Sequence, residues 1–314
     1  MYIHSNINKR YGGKKMTDAK LITLITLAEK KSFTKTAEAL SLTQPAVSHH
    51  IQQLENELNT KLVIRNKSEI ILTKEGEIAV DFAKKIIGLY NKMTTSILDK
   101  ENHFTNLRIG VTHTSESNII MIVLAKISDL LGNMNITVIT ETIKNIYEML
   151  DNYEIDIAIV EDKANPEKFN SLLLDTDSLV CILSKDNPLA KKNVLTMDDL
   201  KKSKMILRLP DSATRMQFDS TLVSMNESIH RFNVILEVDN IATIKALVRK
   251  DLGISILAKS ACIDEINKGK LKALPIENLS MVRETNLVYK KSSDYQDVLN
   301  AIYTTYQKIK NQQN

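Results

Sequence analysis

The sequence predicts a mainly α helix-turn-helix unit, then one long helix, then an α/β body, and three observations carry that prediction. Residues 32–76 read SFTKTAEALSLTQPAVSHHIQQLENELNTKLVIRNKSEIILTKEG, two short helical patterns split by a turn and followed by a hairpin-like basic segment. Residues 74–100 contain no proline and repeat apolar residues every three or four positions. From residue 107 onward, short apolar runs alternate with helical patterns, as α/β sheets require.

Residues 1–15 stand apart. Lys9, Arg10, Lys14 and Lys15 have no acidic partner there and account for the whole formal charge of +4; without them, basic and acidic residues balance at 38 each. Bulk charge is therefore no argument for nucleic acid, and a DNA-binding reading rests on local residues. Gly12-Gly13-Lys14-Lys15-Met16 back-translates to a purine-rich ribosome-binding sequence followed by a start codon. The leader reads either as a start-site artefact without fixed structure or as a basic arm that touches DNA.

In the helix-turn-helix, Ser32 and Thr34 are N-cap residues for the first helical pattern. Thr43 caps the second, with Pro45 in its first turn, where a missing N–H costs nothing. Ala37, Leu40, Val47, Ile51, Leu54 and Leu58 form one apolar stripe, which leaves Gln44, Ser48, His49, Gln52 and Gln53 on the opposite face. Gln pairs bidentately with adenine, and Ser, Thr or His reach base edges or phosphates. Thr43, Gln44, Pro45, Ala46, Ser48, His49 and Gln52 are therefore candidate DNA contacts, although plain solvation also produces a polar helix face. Arg65 and Lys67, with the helix N-termini at Ser32 and Thr34, are candidate phosphate contacts.

In the long helix, Ala79, Phe82, Ile86, Leu89, Met93 and Ile97 make one apolar seam, while Lys84, Lys85, Asn91 and Lys92 lie elsewhere. A single helix cannot hide such a seam alone. It packs on its own body or, as two recognition helices on two half-sites would favour, pairs with the same helix of a second subunit.

Candidate strands follow at 107–112, 136–141, 155–160, 172–175, 178–183, 205–207, 234–238, 254–257 and 286–289, with helices between most of them, which argues for parallel sheets. Ligands in such sheets bind beyond the carboxyl ends of strands, where helix N-termini converge. Those places hold Thr112, Thr114 and Ser115, then Thr142, then Arg208, then Asn240, with Ile254 lining from below. The planar fork of Arg208 suits a carboxylate or phosphate, and equally a salt bridge between lobes. The hydroxyls cap helices in any case. Glu141 in the same mouth goes with an effector carrying an amine, so the ligand class is anionic or amino-acid-like.

Leu24, Ala28, Ser32-Phe33, Ala37, Leu40, Thr43-Gln44-Pro45-Ala46-Val47-Ser48, Ile51, Leu54-Glu55, Leu58, Leu62, Arg65, Leu72-Thr73 and Gly76 together resemble the N-terminal signature of LysR-type transcriptional regulators. The resemblance implies a winged helix-turn-helix over 16–74, a linker and dimerisation helix over 75–103, and a two-lobed α/β effector domain similar to periplasmic binding proteins. Lobe I would take 104–162 and 268–314, and lobe II 163–267, with crossings near 161–168 and 263–272. Two departures fall in the DNA-binding part: Asn59 stands where the family prefers Gly, and Val63 where it prefers Phe. Ile143 replaces a hydroxyl often seen in the effector site.

What the resemblance implies is a sequence-specific regulator of an inverted-repeat operator, a homodimer or homotetramer on double-stranded DNA, responding to a small-molecule effector between lobes. It would touch RNA polymerase if an activator, and work in the cytoplasm, associated with the nucleoid through DNA. The alternative keeps the DNA binding and makes the α/β body an assembly module without a ligand. Other chemistry finds little footing. No run reaches the roughly 18–20 apolar residues of a membrane span, and the N-terminus has no apolar signal core. Adjacent His49 and His50 point about 100° apart on a helix and make no metal pair. Cys181 and Cys262 offer no disulfide framework or metal spacing, and a redox role would need an exposed thiol of low pKa. Without a phosphate loop, nucleophile elbow or zinc-protease motif, no cofactor, metal or catalytic residue is expected, and the chain does not read as an enzyme.

Overall fold

A computed structural model of the chain describes residues 19–65, 70–102, 105–116, 119–292 and 295–313. The leader over 1–15 and Lys67 lie outside the described residues. Two compact units are formed, Met1–Glu101 and Asn102–Asn314.

In the first unit, α1 (Ala19–Lys30), α2 (Phe33–Leu40) and α3 (Gln44–Glu57) enclose Leu24, Leu27, Ile51 and Leu54, with Leu62 from the chain beyond them. Capping sets the helix starts. Ser32 Oγ accepts from Lys35 N at 3.3 Å, and Thr43 Oγ1 accepts from Ala46 N at 3.3 Å. Thr34 is not a cap; it sits exposed in the first turn of α2. Ser41 (φ 55°) turns the chain out of α2, and Asn59 (φ 50°) turns it after α3, so Asn59 supplies the left-handed residue that Gly would. Leu58 leaves the predicted apolar stripe and is 51% exposed, because α3 ends at Glu57 and Leu58 is its C-cap.

The hairpin β1 (Val63–Arg65) and β2 (Ile70–Leu72) pairs antiparallel, Val63 opposite Leu72 and Arg65 opposite Ile70. Thr73 then starts α4 (Lys74–Asn102): its hydroxyl accepts from Gly76 N at 2.9 Å and donates to Lys61 O at 2.7 Å. Here the backbone comes very close. A Cβ at Gly76 would lie 2.1 Å from the Leu62 carbonyl oxygen. Further along α4, Ala83 and Ile87 are buried, while Phe82, Ile86, Leu89, Met93 and Ile97 are 46–60% exposed.

The second unit runs β3 (Thr105–Val111), α5 (His113–Glu116), α6 (Ile120–Leu131), β4 (Met134–Thr140), α7 (Ile143–Asp151), β5 (Ile157–Val160) and β6 (Phe169–Ser184). It continues with α8 (Met197–Lys202), β7 (Lys204–Leu207), α9 (Ala213–Ser224), β8 (Asn233–Glu237), α10 (Ile241–Arg249), β9 (Ser255–Ala258), α11 (Ile263–Asn267), β10 (Leu271–Leu274), β11 (Val282–Lys290) and α12 (Gln296–Gln313). The sheets are mixed, not parallel throughout. β3–β4, β3–β5 and β7–β8 are parallel, whereas β5–β11, β11–β6, β6–β9 and β6–β10 are antiparallel. Each of these antiparallel pairs involves β6 or β11: β11 runs against both β5 and β6, and β9 and β10 run against β6.

The expected strands at 172–175 and 178–183 are one strand. β6 pairs with β11 as far as Ser178 and with β9 from Leu179. The outward crossing between lobes is therefore inside β6, not at 161–168, and the return lies just before β11, not at 263–272. β10 in the latter region was not anticipated; its LKAL run pairs with Cys181–Ser184 in lobe II. Each lobe has its own core. Ile109, Ile159, Leu287 and Ile302 belong to lobe I, and Ile182, Leu207, Phe218 and Ile256 to lobe II.

Gly76→Ala is expected to destabilise the first unit by about 1–3 kcal/mol, because Leu62 O is backbone and has no rotamer to yield. A differential scanning experiment that finds its transition unmoved would contradict the close approach.

Candidate functional site

The first candidate surface is the solvent side of α3. Gln44, Pro45, His49 and Gln52 are exposed and Ala46 and Ser48 half-buried, on the side of the helix away from Val47, Ile51 and Leu54. Gln44 Nε2 reaches Ser48 Oγ at 3.4 Å, one turn apart, so the two polar groups that would meet base edges already orient each other. His50 takes the other direction expected of adjacent histidines: its Nδ1 lies 2.9 Å from Thr23 Oγ1 on α1. Thr43 carries the cap of α3, and Arg65 ends β1.

Beneath that helix sits a group the sequence reading did not single out as working chemistry. Glu55, buried on the inner side of α3, accepts from Leu62 N at 3.0 Å, Val63 N at 3.3 Å and Lys61 Nζ at 2.6 Å. It ties the recognition helix to the chain entering β1. Burial pushes its carboxyl up, but the Lys61 hydrogen bond and the two backbone donors together outweigh it and hold the pKa below the ordinary value.

The second candidate site lies where the carboxyl ends of β3, β4 and β5 in lobe I face the ends of β7 and β8 in lobe II. Thr112, Thr114 and Ser115 follow β3 and are all buried. Their order is explained by Glu161, the residue after β5. Thr112 Oγ1 donates to Glu161 Oε2 at 2.6 Å and Ser115 Oγ donates to Glu161 Oε1 at 2.6 Å. Thr112 Oγ1 also accepts from Ser115 N at 3.1 Å. These hydroxyl protons are spent on a carboxylate. Thr142 caps α7 by accepting from Asn145 N at 3.4 Å, and Glu141 beside it accepts from Asn145 Nδ2 at 2.9 Å.

In lobe II, Arg208 after β7 has a side chain only 3% exposed. Its Nη2 donates to Asp239 Oδ1 at 3.0 Å, and its Nε is buried without a partner. Arg215 fixes the loop from behind. Its Nη1 donates to Arg208 O at 3.2 Å and to Glu237 at 2.7 Å, and its Nε to Asp219 at 2.9 Å. Asp239 also faces lobe I, with Oδ2 3.9 Å from His113 Nε2. Asn240 next to it caps α10, accepting from Thr243 N at 3.0 Å.

Thr112 and Ser115 are thus brought together on Glu161, and Arg208 joins them through Asp239 and His113. Ile254 does not take part. It is 1% exposed, in the lobe II core, bridged to Met205, because Gly253 brings its strand within van der Waals contact of Lys204 O. A separate cavity of about 380 Å³ near the crossing is lined by Asp175, Asp177, Lys259, Ser260, Tyr306 and Lys310 among others, and contains none of the expected effector residues. Glu161 was missed because an acid after the apolar run IAIV reads as a boundary; its place at a parallel strand's carboxyl end was the available signal. Both thiols are fully buried, and burial pushes that of Cys262 up to about 12 and that of Cys181 higher still, the opposite of a reactive cysteine. Among the described residues no group of acidic, His or Cys side chains could hold a metal ion, and no helix is long and apolar enough to cross a membrane.

Family models match both units. Residues 19–77 match "Bacterial regulatory helix-turn-helix protein, lysR family", and residues 101–306 match "LysR substrate binding domain". The "Probable RuBisCO transcriptional regulator" of Thalassiosira pseudonana is 27% identical over 291 residues, covering 91% of this chain and 95% of that protein. Among solved structures, full-length CbnR complexed with its target DNA superposes with a TM-score of 0.62 at 15% identity, covering 93% of this chain and 99% of that one. The regulatory domain of CcmR from Synechocystis PCC6803, in complex with 2-PG, gives a TM-score of 0.57 at 21% identity, covering 64% of this chain and 97% of that one.

Because Glu55 is held below the ordinary carboxylate value of 4.5, its contribution to stability is complete above that pH and lost as pH falls through the lower folded value. Glu55→Gln should cost the first unit about 1–3 kcal/mol at neutral pH and flatten this acid-side loss. Denaturation of both proteins across pH 3–7 checks it; parallel curves in that range would contradict the assignment.

Proposed function

The chain belongs to the LysR family of DNA-binding transcriptional regulators, and on that premise we propose how its own residues divide the work. The face Gln44, Ser48, His49 and Gln52 enters the major groove and reads bases, with Thr43, Pro45 and Ala46 bringing the helix start against it. Ser32, Thr34, Arg65 and Lys67 hold phosphates. The observation that supports this most is the polar face of α3 left exposed while its other side is packed and tied down by Glu55.

The exposed seam Phe82, Ile86, Leu89, Met93 and Ile97 pairs with a second copy of α4. Five large apolar side chains on one 29-residue helix leave an apolar strip that a soluble monomer rarely keeps open. A two-fold dimer then presents two α3 helices to an inverted repeat. In the α/β unit a small anionic or amino-acid-like molecule sits between the lobes, touching Arg208 and the strand ends at Thr112, Thr114 and Thr142, and shifts the balance of lobe arrangements. CcmR, which shares the fold, is described in complex with 2-PG, which supports a small-molecule effector. The protein acts without catalysing a reaction, in the cytoplasm where its DNA is.

One observation favours a second reading, in which the α/β unit only assembles. Two of the expected effector residues already have acidic partners within the protein, Ser115 on Glu161 and Arg208 on Asp239. The ligand experiment below decides between them.

Gln44→Ala should lower discrimination at one operator position by about 1–3 kcal/mol, whereas Arg65→Ala should weaken all sequences evenly. Shift assays over an operator library check this, and the reverse pattern would refute the division. Phe82→Asp should lower the association state in sedimentation or light scattering; an unchanged oligomer would reject the α4 pairing.

A further inference from the structure

The cleft places one buried charge of each sign on facing lobes. On lobe I, Glu161 is 9% exposed and is held by two hydroxyls. Among the described residues, no Lys, Arg or His pairs with it. On lobe II, Arg208 is more deeply buried, and its one carboxylate partner, Asp239, is 55% exposed. The chain Glu161, Thr112, His113, Asp239, Arg208 connects the two across the mouth.

A buried carboxylate without a counter-ion and a buried guanidinium with an orphaned Nε are each costly, and each is relieved by a partner of opposite charge. From these opposed poles, and resting on the cleft reading given above, we propose that the effector is an amino acid: its carboxylate takes Arg208 and its ammonium takes Glu161.

The hydrogen-bond directions agree. Thr112 and Ser115 donate their protons to Glu161, so these two hydroxyls have no proton left for a ligand anion, and a ligand that approaches them and Glu161 suits them best as a donor. An ammonium carries three donors, while a carboxylate or phosphate carries none. On the lobe II side the guanidinium fork offers only donors, which suits the ligand's carboxylate. Asp239 holds that place in the free protein. Its exposed side chain returns to water when a ligand carboxylate replaces it, at little cost. The exchange also removes Asp239 from His113, so occupancy is coupled to the contact between lobes.

The test is a thermal-shift titration of the full chain with the common α- and ω-amino acids, each beside the hydroxy and oxo acids of the same carbon skeleton. The expected result is that at least one amino acid raises the melting temperature. The shift should be lost in Arg208→Ala, and the matched acid lacking the amine should need about tenfold more or worse for the same shift. Glu161→Gln should erase that preference while leaving the response to the deaminated acid. The wild-type comparison of matched pairs stands whether or not the variants fold. If acids without an amine act as strongly as their amino counterparts, the amino-acid proposal fails and the cleft survives. Silence across both classes overturns the cleft reading with it.

Discussion

The α/β unit depends on one strand serving two lobes. β6 runs 16 residues without a break, and at its middle it carries Asp175, Thr176, Asp177 and Ser178, residues that elsewhere end strands. They persist because each acid is met from another element. Tyr306 and Lys310 of α12 donate to Asp175, while Ser260 and Arg283 donate to Asp177 from lobe II and β11. Arg283 is itself buried and reaches Thr214 at the start of α9, so removing Asp177 would strand a buried cation. One bulge is tolerated beside the crossing: a register shift leaves Leu174 unpaired against β11, and Gln307 Nε2 caps its carbonyl at 3.0 Å.

Holding the lobes on a shared strand brings the carboxyl ends of their parallel strands face to face, and the chemistry of the cleft follows. Lobe I brings a carboxylate wrapped in hydroxyls, and lobe II a guanidinium whose backbone is fixed by Arg215. Two ion pairs from Arg215 raise its pKa against the opposing effect of burial, so it stays a permanent cation and a rigid support. The DNA-binding unit uses the same economy on a smaller scale, with Glu55 joining the recognition helix to the wing strand.

What could be read from the sequence was local. Caps at Ser32 and Thr43 and the left-handed turn at Asn59 depend on residues a few positions apart, and the chain alone displays them. The continuity of β6 was hidden, since LDTDS looks like a turn until Tyr306, Lys310, Ser260 and Arg283 arrive from more than 80 residues away. Glu161 was hidden for the same reason, because its partners Thr112 and Ser115 are 49 and 46 residues earlier. Ile254 misled in the other direction: next to a glycine after a helix it looked like a cleft wall, and it is core.

The most direct measurement is a crystal structure of the full chain grown with the amino acid that stabilises it most. The account predicts the ligand between the lobes, carboxylate against Arg208, ammonium within hydrogen-bond distance of Glu161, and Asp239 turned to solvent. A ligand seated with its carboxylate toward Thr112 and Ser115, or outside the cleft with Asp239 still on Arg208, would contradict it.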